Sequence, residues 1–172
     1  MINGLDIMLL LKLSTKQTPR VQSKQLAQEL FLTPSEVTQS LKRCQASGLL
    51  FWSDLEKRVN KTRLLEFLTH GLRYVFPAQR GTITRGIPTS IATEPLKSKF
   101  QETLEPPPVW PDPDGSVRGL ALQPLHNRVP KAAMADPDLY QLLALVDAVR
   151  SARVRERQAA VQELSRRLNP DA

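Results

Sequence analysis

One cysteine, Cys44, and two histidines, His70 and His126, are the only thiol and imidazole side chains in 172 residues. A lone thiol excludes a disulfide framework and any thiolate-rich metal site within one chain. The two histidines lie far apart, with no cysteine or second histidine at ligand spacing, so no zinc site is expected. Aromatic residues make up only 5%; the core must rest on Leu, Val, Ile and Ala, and single-strand RNA binding lacks its stacking platforms. No long hydrophobic run is present. The stretch Ile7 to Leu11 falls far short of the roughly 20 residues that span a bilayer, and Asp6 directly before it does not fit a basic leader. There is no serine in a nucleophile elbow, no metalloprotease helix motif, no phosphate-binding loop and no dinucleotide fingerprint. The expectation is a soluble, cytoplasmic, non-enzymatic protein that needs no cofactor and no metal.

Charge is what the sequence does have, and it is unevenly placed. Lysine and arginine number 24 against 17 acidic residues, a formal net charge of +7. Residues 1–92 hold 13 basic and 6 acidic residues, whereas residues 93–172 hold 11 of each. The excess belongs wholly to the N-terminal part, the pattern of a polyanion-facing module joined to a neutral one. A merely solvated basic face would look the same by charge alone.

Local signals order the first half. Asn3 to Ser14 is apolar nearly all round, which predicts a helix deeply buried or shared with a second subunit. A short helix starts near Ser23, which can cap it, with Leu26, Ala27 and Leu30 at core spacing. Thr33-Pro34-Ser35-Glu36 is a capping box with proline at the first helical position, and Gly48 supplies the stop after about Ser47. The buried stripe is Val37, Leu41 and Cys44. Leu49 to Trp52 and Lys57 to Val59 read as a hairpin, followed by a helix capped by Asn60 that runs to about His70 and closes at Gly71. Leu72 to Phe76 reads as a strand. Arg80 to Thr89, rich in Gly, Pro and Thr, reads as an ordered loop.

Nine prolines lie between Pro95 and Pro137. Proline fixes φ and removes a donor, so residues 93–136 read as an extended arm, packed onto the core through Val109, Trp110, Leu120, Leu122 and Leu125. Two helices follow within 137–172, with a break near Ser151. The fold class expected is mainly α with a small β-wing: a winged helix-turn-helix domain over 1–92, the Pro-rich arm, and a C-terminal helical hairpin.

Helix, helix, tight turn, capped helix and hairpin is the order of a winged helix-turn-helix, in which one helix enters the major groove. Ser35, Thr38 and Gln39 are suited to reading base edges. Lys42 and Arg43 suit guanine or phosphate, and Lys57, Arg58 and Lys61 form the electrostatic contribution of the wing. Arg80 and Arg85, with Gly81 and Gly86 beside them, offer further phosphate donors; the bland alternative is a tight loop whose arginines meet acidic residues of the tail. Cys44 on the buried stripe raises the thought of a redox switch, although buried thiols are usually inert.

Gln25-Leu26-Ala27-Gln28-Glu29-Leu30, Thr33-Pro34-Ser35-Glu36-Val37, Leu41-Lys42-Arg43 and Ser47-Gly48-Leu49-Leu50 resemble bacterial winged-helix regulators of the MarR-like type, over about residues 3–70. The tail departs from them, so their dimer geometry and ligand pocket are not carried over. Tyr74-Val75-Phe76-Pro77 and Thr84 to Thr89 are similar to small winged-helix proteins of toxin–antitoxin-like pairs. The resemblance implies a nucleoid-associated bacterial regulator that binds double-stranded DNA. A homodimeric repressor is expected, because one such helix reads too few base pairs for useful specificity. Its interface would use the apolar first helix, the C-terminal helices, or both. Two alternatives are an antitoxin-like protein that silences a partner enzyme, and an RNA- or ribosome-binding module that reads no sequence.

Overall fold

The computed structural model describes residues 1–100 and 105–169. Two helices that are apolar on nearly every face lie side by side at its centre. These are α1 (Gly4–Ser14), buried from Gly4 to Leu13, and α7 (Pro137–Ser151), buried at Leu139 and from Leu142 to Val149. α7 covers one side of α1 and other elements of the same chain cover the rest, so the all-round apolar character of α1 is consumed within one chain and leaves no face for a second subunit. α1 is thus the deeply buried helix that its composition predicts, and it is removed from the surfaces that could form a dimer interface.

Against the outer side of α1 pack α3 (Pro34–Ala46), which carries α2 (Ser23–Leu30) on it, and a hairpin of β1 (Leu50–Trp52) and β2 (Lys57–Val59). Then α4 (Lys61–His70) follows, reaching across to both α7 and α8 (Val154–Leu168). Ser23 does not cap α2; Gln22 occupies that position without a side-chain bond. Gly71 caps the end of α4 as expected. It stays right-handed at φ −115°, and the chain turns into a further helical turn, α5 (Leu72–Val75), where a strand was expected.

The Gly/Pro/Thr-rich stretch is a nine-residue strand, β3 (Arg80–Pro88), rather than a loop. The Pro-rich arm likewise carries regular structure: β4 (Pro108–Pro111), β5 (Val117–Leu122) and α6 (Val129–Ala135). The three strands close on one another. β3 runs antiparallel to both β4 and β5, and β4 pairs with β5 in parallel. The boundary expected at residue 92 therefore falls inside one structural unit, since β3 lies before it and its partners after it. Proline is tolerated because Pro108 and Pro111 sit at the two ends of β4. Gly86 and Gly119 are obligatory, because a Cβ there would strike the Trp110 and Pro107 carbonyls.

A buried carboxylate fastens this sheet to the central helix. Asp147 of α7 accepts from the Thr89 hydroxyl at 2.7 Å, the Trp110 indole at 2.6 Å and the Arg150 guanidinium at 2.7 Å. Arg150 also donates to the carbonyls of Phe76 and Gln123. A buried charge is tolerable only when its lone pairs are satisfied in this way. The α7–α8 break falls at Ala152 and Arg153, as the sequence predicts. The whole is α-rich with a two-stranded and a three-stranded sheet, and no described helix is long and apolar enough to cross a membrane.

Candidate nucleic-acid interface

The exposed side of α3 is built from its N-terminus. The Thr33 hydroxyl accepts from Glu36 N at 3.2 Å, and the Glu36 carboxylate accepts from Thr33 N at 2.8 Å. The Thr33 amide first, and the Thr33 hydroxyl donating to the same carboxylate at 3.0 Å second, hold the Glu36 carboxyl below the usual carboxylate range. Val37, Ser40, Leu41 and Cys44 face inward onto α1 and α2. The opposite face presents Ser35, Gln39, Lys42 and Gln45 to solvent, with Thr38 half-buried. Neither the C-terminal helices nor the sheet lies over these side chains among the described residues.

Arg43 is a correction. It does not project with Lys42; it turns back to Asp6 of α1, donating through Nε at 2.9 Å and through its second amino group at 2.9 Å. Asp6 is fully buried and also accepts from Ser40 Oγ at 2.6 Å and Asn3 N at 2.8 Å. That carboxylate ties the inward face of α3 to the first turn of α1. Arg43 is thereby a positioning residue rather than one poised for a ligand. The signal for it was a solitary acid at the start of an otherwise apolar helix, which must find a cation once buried.

The hairpin corrects the expectation for Lys57. Register pairs Leu50 with Val59, Phe51 with Arg58 and Trp52 with Lys57. Strand alternation puts Phe51 and Arg58 outward and the other two pairs inward. Lys57 is therefore buried, its stem packed and its ammonium donating to the Val21 carbonyl, and burial holds its pKa below the usual lysine range. Arg58 stays exposed but pairs with Glu56 at 2.9 Å. The hairpin tip carries Asp54, exposed Leu55 and Glu56, so it is not a basic tip. Lys61 is half-buried at the start of α4, and exposed Arg63 reaches the Gly48 carbonyl at 3.2 Å, at the C-terminal end of α3.

Arg80 and Arg85 do not join this face. Arg80 donates to the Ser151 carbonyl at the α7–α8 corner. Arg85 lies on β3 directly opposite Arg118 of β5 and donates to the Gly115 carbonyl at 3.3 Å. Neither meets a carboxylate of the tail among the described residues. Cys44 is fully buried on α3, and desolvation pushes its thiol up to about 12. A thiol so placed holds almost no thiolate at neutral pH, which removes the basis for a redox switch there. No group of three or more ligating side chains could hold a metal ion among the described residues. Comparison of the chain with protein-family models, with curated proteins and with solved structures finds no match.

Proposed function

We propose that this protein is a sequence-specific regulator of transcription that binds double-stranded DNA as a homodimer and represses. The observation that carries the reading is the uncovered polar face of α3. Ser35, Gln39 and Lys42 stand exposed on one capped helix whose other face is locked to α1 through Asp6, Ser40 and Arg43. A rigid helix with short and amide-bearing side chains outward is what major-groove readout requires. The sequential arrangement of α1, α2, α3 and the β1–β2 hairpin supports a winged helix-turn-helix. Gln39 is the residue assigned to adenine or another base edge. Lys42, Arg58, Lys61 and Arg63 supply phosphate contacts in place of the buried Lys57 and the inward-tied Arg43.

A dimer of this protein uses a surface other than α1, which its own chain buries. The test is selection of bound fragments from random duplex DNA at near-physiological salt. A convergent, two-fold symmetric sequence whose enrichment Gln39→Ala broadens supports the reading; no enrichment above the input pool refutes it.

A second reading has one specific observation in its favour. Phe51, 57% exposed, and Leu55, 81% exposed, share the hairpin with acidic Asp54 and Glu56. An apolar and acidic tip suits a protein partner better than phosphate. The antitoxin-like alternative predicts a stable second polypeptide in native mass spectra of protein purified from its own cells, lost on Phe51→Ser with Leu55→Ser.

A further inference from the structure

The chain from Leu125 to Lys131 leaves the three-stranded sheet and arrives beside the N-terminal end of α3. It is seated firmly. Gly4 of α1 has no room for a Cβ, because the Leu125 carbonyl lies on it. His126 closes a turn, accepting at Nδ1 from Arg128 N at 3.1 Å and through its carbonyl from Val129 N at 3.0 Å. Val129, Pro130, Ala132 and Ala133 of α6 are then buried, with α6 packed on α2 and α7. Burying those positions turns Asn127, Arg128 and Lys131 outward, and all three are exposed.

Both cations lie at the α2–α3 turn. The Lys131 ammonium stands 4.5 Å from the centre of the Phe31 ring, and Phe31 holds the left-handed turn between the helices at φ 57°. Arg128 sits in the turn that His126 closes, three positions before Lys131, and after the Thr33 bonds its charge helps to hold the Glu36 carboxyl, in the first turn of α3, below the usual range. The Glu36 carboxylate is already engaged by the Thr33 amide and hydroxyl. Neither Arg128 nor Lys131 forms an ion pair among the described residues. At the other end of α3 stands exposed Arg63, on the Gly48 carbonyl. A helix of 13 residues is roughly 20 Å long, enough to cross a major groove roughly 12 Å wide. Cations at its two ends thus match the two phosphate rails that flank such a groove.

We propose that Arg128 and Lys131, contributed by the neutral C-terminal half, bind the DNA phosphate backbone on the side of α3 away from the hairpin. The inference rests on the DNA-binding reading and extends it to residues far from the helix-turn-helix in sequence. It makes the C-terminal half part of the binding surface rather than an appendage to it.

The experiment measures affinity of the full chain for a fluorescent duplex pool of mixed sequence between about 50 and 200 mM salt, where each phosphate contact contributes a slope of about 0.9 in log K against log salt. The proteins compared are the wild type, Arg128→Gln with Lys131→Gln, Arg128→Gln alone, Lys42→Gln, and Arg155→Gln with Arg166→Gln on the exposed side of α8. The expected result is a slope lowered by about two contacts in the first pair, by one in Arg128→Gln and in Lys42→Gln, and by none in the α8 pair. The single variant carries the result if loss of the Phe31 contact unfolds the pair. A wild type without salt-dependent duplex binding overturns the DNA-binding reading and this inference together. A normal loss in Lys42→Gln with unchanged slopes in both Arg128 variants overturns this inference alone, as does an equal loss in the α8 pair.

Discussion

Replacing Arg43 by methionine keeps most of the side chain's apolar stem but removes the guanidinium from Asp6. The carboxylate would remain fully buried, holding only the Ser40 hydroxyl and the Asn3 amide. Taking one partner from a buried pair costs about 3–5 kcal/mol, because the other charge is left uncompensated. The Arg43 side chain is 25% exposed, so water reaches part of the site and the expected loss lies at the lower end, about 3 kcal/mol. Adding Asp6→Asn removes the stranded charge, while its amide oxygen still accepts from Ser40 or Asn3. The double variant should lose only about 1 kcal/mol, the worth of ordinary hydrogen bonds. Urea unfolding followed by far-ultraviolet circular dichroism measures these two variants and Asp6→Asn alone, and the cycle isolates the coupling. A single variant within about 0.5 kcal/mol of wild type, or a double variant no more stable than Arg43→Met, would refute the claim that this pair sets the seat of α3.

Four shorter predictions concern the rest of the molecule. Thr33→Ala removes the cap of α3 and should cost about 1 kcal/mol in the same unfolding assay. Glu163 accepts from Lys99, Arg166 and Arg167, and Arg166, followed by Lys99, holds its carboxyl down to about 2. A depressed carboxyl contributes stability above its unfolded value of 4.5, and that contribution is lost as pH falls from there toward about 2. Its partners on the surface are screened, so Glu163→Gln should lower stability at pH 7 by about 1 kcal/mol and flatten the acid limb of the profile; an unchanged acid limb contradicts this. Cys44, with its thiol pushed up to about 12, should resist a disulfide exchange reagent at pH 8 in native protein and react fully in urea. Gly4→Ala drives a methyl group into the Leu125 carbonyl, so amide exchange over residues 125–131 should rise more than exchange over α8.

The elements that were legible share a local cause. Thr33, Pro34 and Glu36 announce the start of α3 through bonds made within four residues, and the structure has both bonds of that box. The hairpin, the Asn60 cap and the α7–α8 break are equally short-range. Leu72 to Phe76 reads as a strand because an apolar run that short carries no period, whereas the right-handed Gly71 leads the chain into the helical turn Leu72–Val75. Arg80–Pro88 defied its composition for another reason. Its glycines read as loop formers, yet Gly86 is required by the approach of the Trp110 backbone, a neighbour more than twenty positions away in sequence. The candidate site divides in the same manner: Ser35, Gln39 and Lys42 lie outward as helical spacing demands, whereas Lys57 turns inward because of strand register and a carbonyl from Val21.

By itself the sequence determined the caps, the helical periods, the polar side of α3 and the confinement of net positive charge to residues 1–92, since each depends on neighbours along the chain. Tertiary structure alone decided which cations are free to meet a ligand. Asp6 draws Arg43 inward, β-pairing buries Lys57, and the docking of α6 on α2 brings Arg128 and Lys131 to the turn before α3. The reason is that a buried charge must find its counter-charge or its hydrogen bonds wherever the fold offers them, and that choice is made between segments far apart in the chain.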